Sequence, residues 1–94
     1  MVMEYLSDSV MLDTLKKVQE LQPSLLEARY SAHIDAGVQQ NWPDVNGHHI
    51  SFELTIFDGN EIIKSFDFYS SDSESVLNAT YELAVAYVKY LQNV

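Results

Sequence analysis

The fold of this chain is specified above all by residues 49–68, which read HISFELTIFDGNEIIKSFDF. Apolar and polar residues alternate from 49 to 57, as in a strand with one buried face. Asp58, Gly59 and Asn60 follow, and residues of these three types are common in tight turns. The pattern predicts a β-hairpin whose second strand runs on from the turn.

The register of this hairpin is predicted from the pairing that gives the larger apolar face. A two-residue loop at 58–59 would set the apolar Phe52 opposite Ser65. A three-residue loop at 58–60, with Asn60 in the left-handed conformation, gives three apolar pairs on one face instead. These pairs are Ile56 with Ile62, Phe52 with Phe66 and Ile50 with Phe68. We therefore expect the three-residue loop.

Lys64 then falls on the inner face of the sheet, opposite Leu54. An inward-pointing charge is one way in which proteins protect an edge strand from pairing with another chain. The strand after the turn is therefore predicted to lie at the edge of the sheet.

A further strand is predicted over residues 26–38, where the alternation is unbroken. The even positions are apolar: Leu26, Ala28, Tyr30, Ala32, Ile34, Ala36 and Val38. The competing interpretation is a helix from Pro23 to Gly37, because several of these residues also fit a 3.6-residue period and Ala and Glu favour helix. We prefer the strand because of the length of the alternation.

Residues 7–22 are predicted to form an amphipathic helix. Ser7 is the expected N-cap, and Asp8 lies in the first turn, where the helix dipole favours an acid. Pro23 is expected to end the helix, because proline disfavours the helical conformation in the residue before it.

Residues 72–92 are predicted to form the last helix. Ser71 and Glu74 fit a capping box, with Ser71 at the N-cap and Glu74 at N3. The helical period places the apolar residues in two neighbouring stripes. The first stripe comprises Leu77, Tyr81, Ala84, Val88 and Leu91. The second comprises Val76, Thr80, Leu83, Tyr87, Tyr90 and Val94.

The two stripes carry more apolar surface than a helix packed on one sheet needs, which is an arc of only about 100°. We expect the surplus to contact a partner protein or a second copy of the chain, because tyrosine is favoured at interfaces. The predicted contact residues are Tyr81, Leu83, Tyr87, Tyr90 and Val94. The alternative is that the first helix and the sheet bury this helix within one chain. Self-association is slightly favoured, because so short a chain gains from extra burial.

Trp42 is the predicted loop residue of the same interface. It lies in the loop 39–47, and Trp is enriched among the residues that dominate binding energy. The alternative, given equal weight, is a Trp that folds back over the edge of the core.

The order of these elements is helix, strand, strand, strand, helix within a single domain, 1–94. The simplest α+β solution is a three-stranded antiparallel meander with the N-terminal and C-terminal helices packed on one face. This order resembles the double-stranded RNA-binding fold in topology alone. Asp72 and Glu74 stand at the start of the last helix in place of that family's basic residues, so no function is transferred.

The composition excludes several classes of function. Fourteen acids against five Lys and Arg give a net charge of −9. Because the five cations are scattered, direct binding of nucleic acid is not expected. The chain has no cysteine, which excludes disulfides and thiolate sites and fits a reducing compartment such as the cytoplasm. No export signal and no membrane-spanning segment is predicted.

No enzyme site or cofactor is predicted. The glycines are isolated, so no phosphate-binding loop is present, and no serine lies in a nucleophile elbow. The one set of residues that could bind a metal or transfer protons is predicted on the outer face of the sheet. It comprises His33, Asp35, His49, Glu53 and Asp67, together with the neighbouring His48. A solvated polar face is the more common meaning of such residues, so no metal site is predicted.

The function predicted first is a non-enzymatic, cytoplasmic interaction protein that forms a homodimer or docks a protein partner through its last helix. The alternative is an acidic inhibitor that occupies the basic groove of a nucleic-acid enzyme, since small acidic inhibitors of bacterial or phage defence nucleases resemble this chain in size and charge. The acids predicted to imitate phosphates are Glu53, Asp58, Glu61, Asp67, Asp72 and Glu74.

Overall fold

The computed structural model describes residues 3–39, 45–46 and 49–94. Within these ranges the helices are α1 (Asp8–Gln19), α2 (Gln22–Glu27) and α3 (Glu74–Gln92). The strands are β1 (Met3–Glu4), β2 (Ser31–Gln39), β3 (Val45–Asn46), β4 (His49–Asp58) and β5 (Glu61–Tyr69). The predicted α+β fold, with three long strands between an N-terminal and a C-terminal helix, is confirmed.

The main sheet has the strand order β2-β4-β5 and is antiparallel throughout. Leu54, on the central strand, pairs with Ile34 on one side and with Phe66 on the other. Within the described residues β2 and β5 are the edges, so the prediction that the strand after the turn is an edge is confirmed. The short strands β1 and β3 pair with each other in parallel, apart from this sheet.

The predicted hairpin register is wrong by two residues. Phe52 pairs with Phe68 rather than Phe66, and the loop consists of two residues, 59–60, between the paired Asp58 and Glu61. Gly59 has φ +65, which suits glycine. A register shift at 56–57 adds one residue to β5, so strand geometry rather than loop length sets the pairing. Because the error is even between Ser51 and Ile56, the side chains paired there keep their predicted faces. Beyond the shift Ile62 pairs with Phe57 instead of Ile56 and is 60% exposed, so its predicted place on the inner face is wrong.

Lys64 does lie on the inner face, but its cross-strand partner is Ile56 and not Leu54. Its ammonium group lies 5.6 Å from the centre of the Phe66 ring and 6.0 Å from that of Tyr87. The charge therefore sits at the exposed end of the inner face, beside aromatic rings that attract a cation.

The predicted start of the first long strand is wrong, because residues 22–27 form α2 and β2 begins at Ser31. Pro23 does not end the first helix as predicted, because α1 already ends at Gln19. Pro23 lies instead in the first turn of α2, where no backbone donor is needed. Leu25 is buried, and the chain leaves the helix through Arg29, which has φ 69. The competing helical interpretation was therefore correct for the first part of this segment.

The caps of the long helices differ in how well they were predicted. Ser7 is the N-cap of α1, and its Oγ accepts a hydrogen bond from the Val10 backbone N–H at 3.3 Å. The N-cap of α3 is Ser73 and not Ser71, with the Val76 N–H donating to its Oγ at 3.2 Å. Because the helix starts two residues late, Glu74 is not at N3 and the predicted capping box does not form.

A turn after β5 explains this late start. The buried Ser70 exchanges two hydrogen bonds with Ile50: its N–H donates to the Ile50 carbonyl at 2.8 Å, and its Oγ accepts the Ile50 N–H at 2.8 Å. The Asp72 N–H then donates to the Tyr69 carbonyl. These contacts hold the chain against the sheet through residue 72.

The hydrophobic core lies between the inner face of the sheet and the helices. The Phe52 and Phe68 rings stack at 4.7 Å between centroids. The buried members are Met11, Val18, Leu25, Phe52, Leu54, Ile56, Phe66, Phe68, Leu77, Ala84, Val88 and Leu91. Because α1 and α3 both contribute to this single cluster, they lie on one face, and in the described part of the chain the opposite face carries no helix.

Candidate interaction surfaces

Helix α3 has one buried side and one exposed apolar side. Leu77, Ala84, Val88 and Leu91, from the first predicted stripe, are buried. Tyr81 is half-buried on the side nearest α1, where the Lys17 ammonium lies 5.7 Å from its ring centre. This side attaches the helix to its own domain.

The second predicted stripe is exposed except at the half-buried Thr80 and Tyr87, and we call it the α3 stripe. Its members are Val76, Thr80, Leu83, Tyr87, Tyr90 and Val94. The exposed fraction is 63% for Leu83, 62% for Tyr90 and 79% for Val94. The expectation that α3 carries more apolar surface than its own fold hides is therefore met in the single chain.

The residues of the α3 stripe are spaced alternately four and three apart. This is the spacing of the contact positions in packed helix pairs. Ala79 and Ala86 lie beside the stripe, so the uncharged surface covers about 120° of the helix at 3.6 residues per turn. Glu82 and Lys89 lie beyond these alanines. The stripe is thus a continuous uncharged surface, bordered by charged residues on the side of Ala79 and Ala86.

Tyr87 connects the α3 stripe to strand β5. Its ring lies edge-on to Phe66, with centroids 6.0 Å apart, and 6.0 Å from the ring of Tyr90. Phe66 is buried whereas Tyr90 is exposed, so the aromatic contacts run from the core to the surface. This arrangement orders the middle of the stripe before any partner binds.

Trp42, the predicted loop residue of the interface, lies outside the described residues. Tyr81, which was predicted with the same interface, lies apart from the α3 stripe on the α1 side. Leu83, Tyr87 and Tyr90 share one surface of α3, whereas Val94 lies two residues beyond the end of the helix and is 79% exposed.

The outer face of the sheet carries a row of three carboxylates. Glu53 on β4 pairs with Asp35 on β2 and with Asp67 on β5. The Thr55 hydroxyl donates a hydrogen bond to Glu53 Oε1 at 3.1 Å. An open cavity of about 310 Å³ lies over the row, with Gly37 and Tyr69 among its lining residues. We call Asp35, Glu53 and Asp67 the acidic row.

The structure does not gather the residues considered for metal binding into a site, and His48 lies outside the described residues. His33 lies across from Thr55, one row away from the acidic row. His49 packs between the rings of Tyr5 and Tyr69, at 5.1 and 6.4 Å. Within the described residues, no group of three or more His, Asp or Glu side chains is arranged to hold a metal ion.

The six acids of the predicted inhibitor surface fall into three separate groups. Glu53 pairs with Asp67, and Asp58 pairs with Glu61 at the turn, five residues further along β4. At a rise of about 3.3 Å per residue these pairs are about 16 Å apart. Asp72 and Glu74 follow the opposite end of β5. Asp35 also belongs to the first group, because it pairs with Glu53. This could not be predicted, since the spacing of the sequence did not fix the register of β2 against β4.

None of the described helices is both long and apolar enough to cross a lipid bilayer. Comparison of the chain with protein-family models, with curated proteins and with solved structures finds no match.

Proposed function

We propose that this protein is a non-enzymatic interaction module whose α3 stripe docks an amphipathic helix of a partner protein. The observation that carries this proposal is the stripe itself, which is uncharged and exposes the apolar side chains of Val76, Leu83 and Tyr90. Exposed apolar patches that are contiguous and rimmed by polar residues are typical of interaction sites.

The spacing within the α3 stripe favours a helix as the ligand. Alternating steps of three and four residues let a second helix pack at about 20° to the first, with the axes about 8–10 Å apart. The small side chains of Ala79 and Ala86 permit this close approach. A partner helix with the same apolar spacing would cover Leu83 and Tyr90.

The charge of the chain favours a basic partner. A second copy would bring another net charge of −9 to the α3 stripe, whereas a partner helix with Lys or Arg beside its apolar face would be attracted. Such attraction raises the rate of association and selects among partners. We therefore propose a basic amphipathic helix.

The size of the surface predicts weak binding. Helix α3 has 19 residues and is therefore about 28 Å long. One helix against another buries less than the total of about 1,200 Å² that marks a standard stable interface. The proposed role is thus a reversible contact, for which we propose a cytoplasmic setting in keeping with the cysteine-free composition.

A designed peptide tests this proposal directly. The probe is a labelled helical peptide with Leu at the contact positions and Lys or Arg on its flanks, and the control peptide carries Glu on the same flanks. Fluorescence anisotropy should show binding of the basic peptide and loss of binding on Leu83→Glu. Asn78→Glu adds the same charge to a different side of α3 and should leave binding intact.

Equal binding of both peptides, or equal binding by Leu83→Glu and the wild type, would argue against the proposal. The basic peptide should also bind less tightly as the salt concentration rises, because the attraction to the acidic chain is screened.

A second candidate function is supported by the acidic row. Three carboxylates in one cross-strand row, on a face that no described helix covers, support the alternative of an acidic inhibitor that binds a basic protein surface. Its test is an unstructured oligo-arginine peptide, which has no apolar face. Binding that is lost in Glu53→Gln with Asp67→Asn, but kept in Leu83→Glu, would favour the inhibitor.

A further inference from the structure

Strand β2 offers an unpaired edge that differs from the opposite edge of the sheet. It runs for nine residues, Ser31–Gln39, and only β4 pairs with it among the described residues. Unpaired edge strands expose N–H and C=O groups that can bind another strand. Edge strand β5 is protected by the inward Lys64 and by a register shift, but the inner-face residues of β2 include Ala32, Ile34 and Ala36, none of them charged.

The sequence of β2 is complementary to itself when two copies run antiparallel with Ile34 opposite Ile34. Opposite residues of an antiparallel pair lie on the same face, so the matches can be read directly. On the inner face, Ala32 meets Ala36 of the second copy. On the outer face, His33 meets Asp35 of the second copy, and this contact occurs twice by symmetry. Cross-strand pairs of this polarity stabilise a sheet.

Neighbouring registers lack this match. If the pair is centred on His33, the His33 residues of the two copies face each other, and Asp35 of each copy lies opposite Ser31 of the other. Centring it on Asp35 sets two carboxylates directly against each other, which is destabilising. The outer face therefore favours the register centred on Ile34.

The same register relieves the acidic row. In the single chain, Asp35 is followed across the sheet by Glu53 and Asp67, all of like charge. His33 of the second copy extends the row by one strand, on the open side of Asp35, with a group that can donate a hydrogen bond or carry positive charge. Backbone hydrogen bonds and the two His–Asp contacts counter the repulsion between two acidic copies.

We infer that two copies of this chain join along β2 into a continuous six-stranded sheet, with a two-fold axis at Ile34. Because β5 lies at the far edge of each sheet and Tyr87 lies beside β5, the two α3 stripes remain uncovered on opposite sides of the dimer. The dimer would therefore present two docking helices, a property that goes beyond the binding of one partner.

Single-cysteine variants test this register, because the chain has no native cysteine. Opposite residues in such a pair have Cα atoms about 4.5–5.5 Å apart, within the range that a disulfide spans. Ile34→Cys should form a disulfide-linked dimer under mild oxidation. His33→Cys alone and Asp35→Cys alone should not, whereas a mixture of the two should. Self-crosslinking of His33→Cys or Asp35→Cys, together with no product in the mixture, would overturn the register.

Charge-swap variants test the contact in solution. Sedimentation should show that His33→Asp weakens the dimer by about tenfold, since it makes two like-charge pairs. Adding Asp35→His to the same chain should restore it. Ala36→Lys places an inward charge on the exposed end of β2 and should give a monomer with an unchanged circular dichroism spectrum.

Leu83→Glu is the control that separates this inference from the proposed function, because it should abolish peptide binding and leave the dimer intact. A wild-type chain that remains monomeric at millimolar concentration would overturn the inference. A dimer that Leu83→Glu dissociates and Ala36→Lys does not would overturn it equally, since α3 would then be the contact between copies.

Discussion

Glu53 on the central strand lies directly opposite Asp67, and the other neighbour of Glu53 is Asp35. Like charges at directly opposed positions of a sheet destabilise it. The chain keeps this arrangement on the face that no described helix covers, which is the face open to an oppositely charged group.

The acidic row predicts that neutralising its centre stabilises the fold. Glu53→Gln removes two like-charge contacts and keeps an oxygen that accepts the Thr55 hydroxyl. We expect a gain of about 0.5–1 kcal/mol in the free energy of unfolding, measured by urea denaturation at low salt. Glu82→Gln, which removes a charge from α3, should change stability little. A clear loss of stability in Glu53→Gln would show that the carboxylate is needed.

A Leu→Ala substitution should cost much more stability on the buried side of α3 than on its exposed side. Leu77 is 1% exposed and Leu83 is 63% exposed. Leu77→Ala should cost about 2–5 kcal/mol, because it removes buried methyl groups and leaves a cavity. Leu83→Ala should stay within about 0.5 kcal/mol. Denaturation of both variants at a concentration where the chain is monomeric checks this, and a large cost for Leu83→Ala would mean that its side is not free.

The N-cap of α3 predicts a difference between two serines. Ser73 Oγ accepts the Val76 N–H, so Ser73→Ala should cost about 1 kcal/mol of stability. Ser71→Ala should cost much less, because Ser71 lies in the turn before the helix. Thermal denaturation of the two variants measures the difference. A larger cost for Ser71→Ala than for Ser73→Ala would instead support Ser71 as the N-cap, as expected from the sequence.

Replacing Gly59, in the turn between β4 and β5, should cost more stability than replacing Gly37 in β2. Gly59 has φ +65, and an added side chain there is strained whatever space it has. Gly59→Ala should therefore cost about 1 kcal/mol. Gly37 lies in β2 with open space around it, so Gly37→Ala should be neutral or stabilise by about 0.5 kcal/mol through the unfolded state. Chemical denaturation of both proteins tests the pair.

The elements with strong local signals could be predicted from sequence. The hairpin strands, the edge position of β5 and the N-cap of α1 follow from alternation and turn residues. The second stripe of α3 could also be found, because the helical period alone separates Leu83 and Tyr90 from the core residues.

Other features depend on contacts that sequence spacing does not encode. The register shift near Ile56 and the loop at 59–60 together moved the strand pairing by two residues and placed Ile62 on the exposed side. The α2 helix was missed because it has only six residues, and the alternation that continues into β2 already begins at Leu26. The late start of α3 comes from the buried Ser70, whose contact with Ile50 links residues 20 positions apart. The acidic row required the register between β2 and β4.

The central claim is that the α3 stripe is the docking surface. The most direct measurement is a two-dimensional NMR titration of the isotope-labelled protein with the basic amphipathic peptide. We predict that the shifted backbone amides cluster from Val76 to Val94, along α3 and its C-terminal end, together with Lys64 and Phe66 beside Tyr87. Shifts confined instead to the rows around Asp35, Glu53 and Asp67, with α3 unchanged, would contradict it.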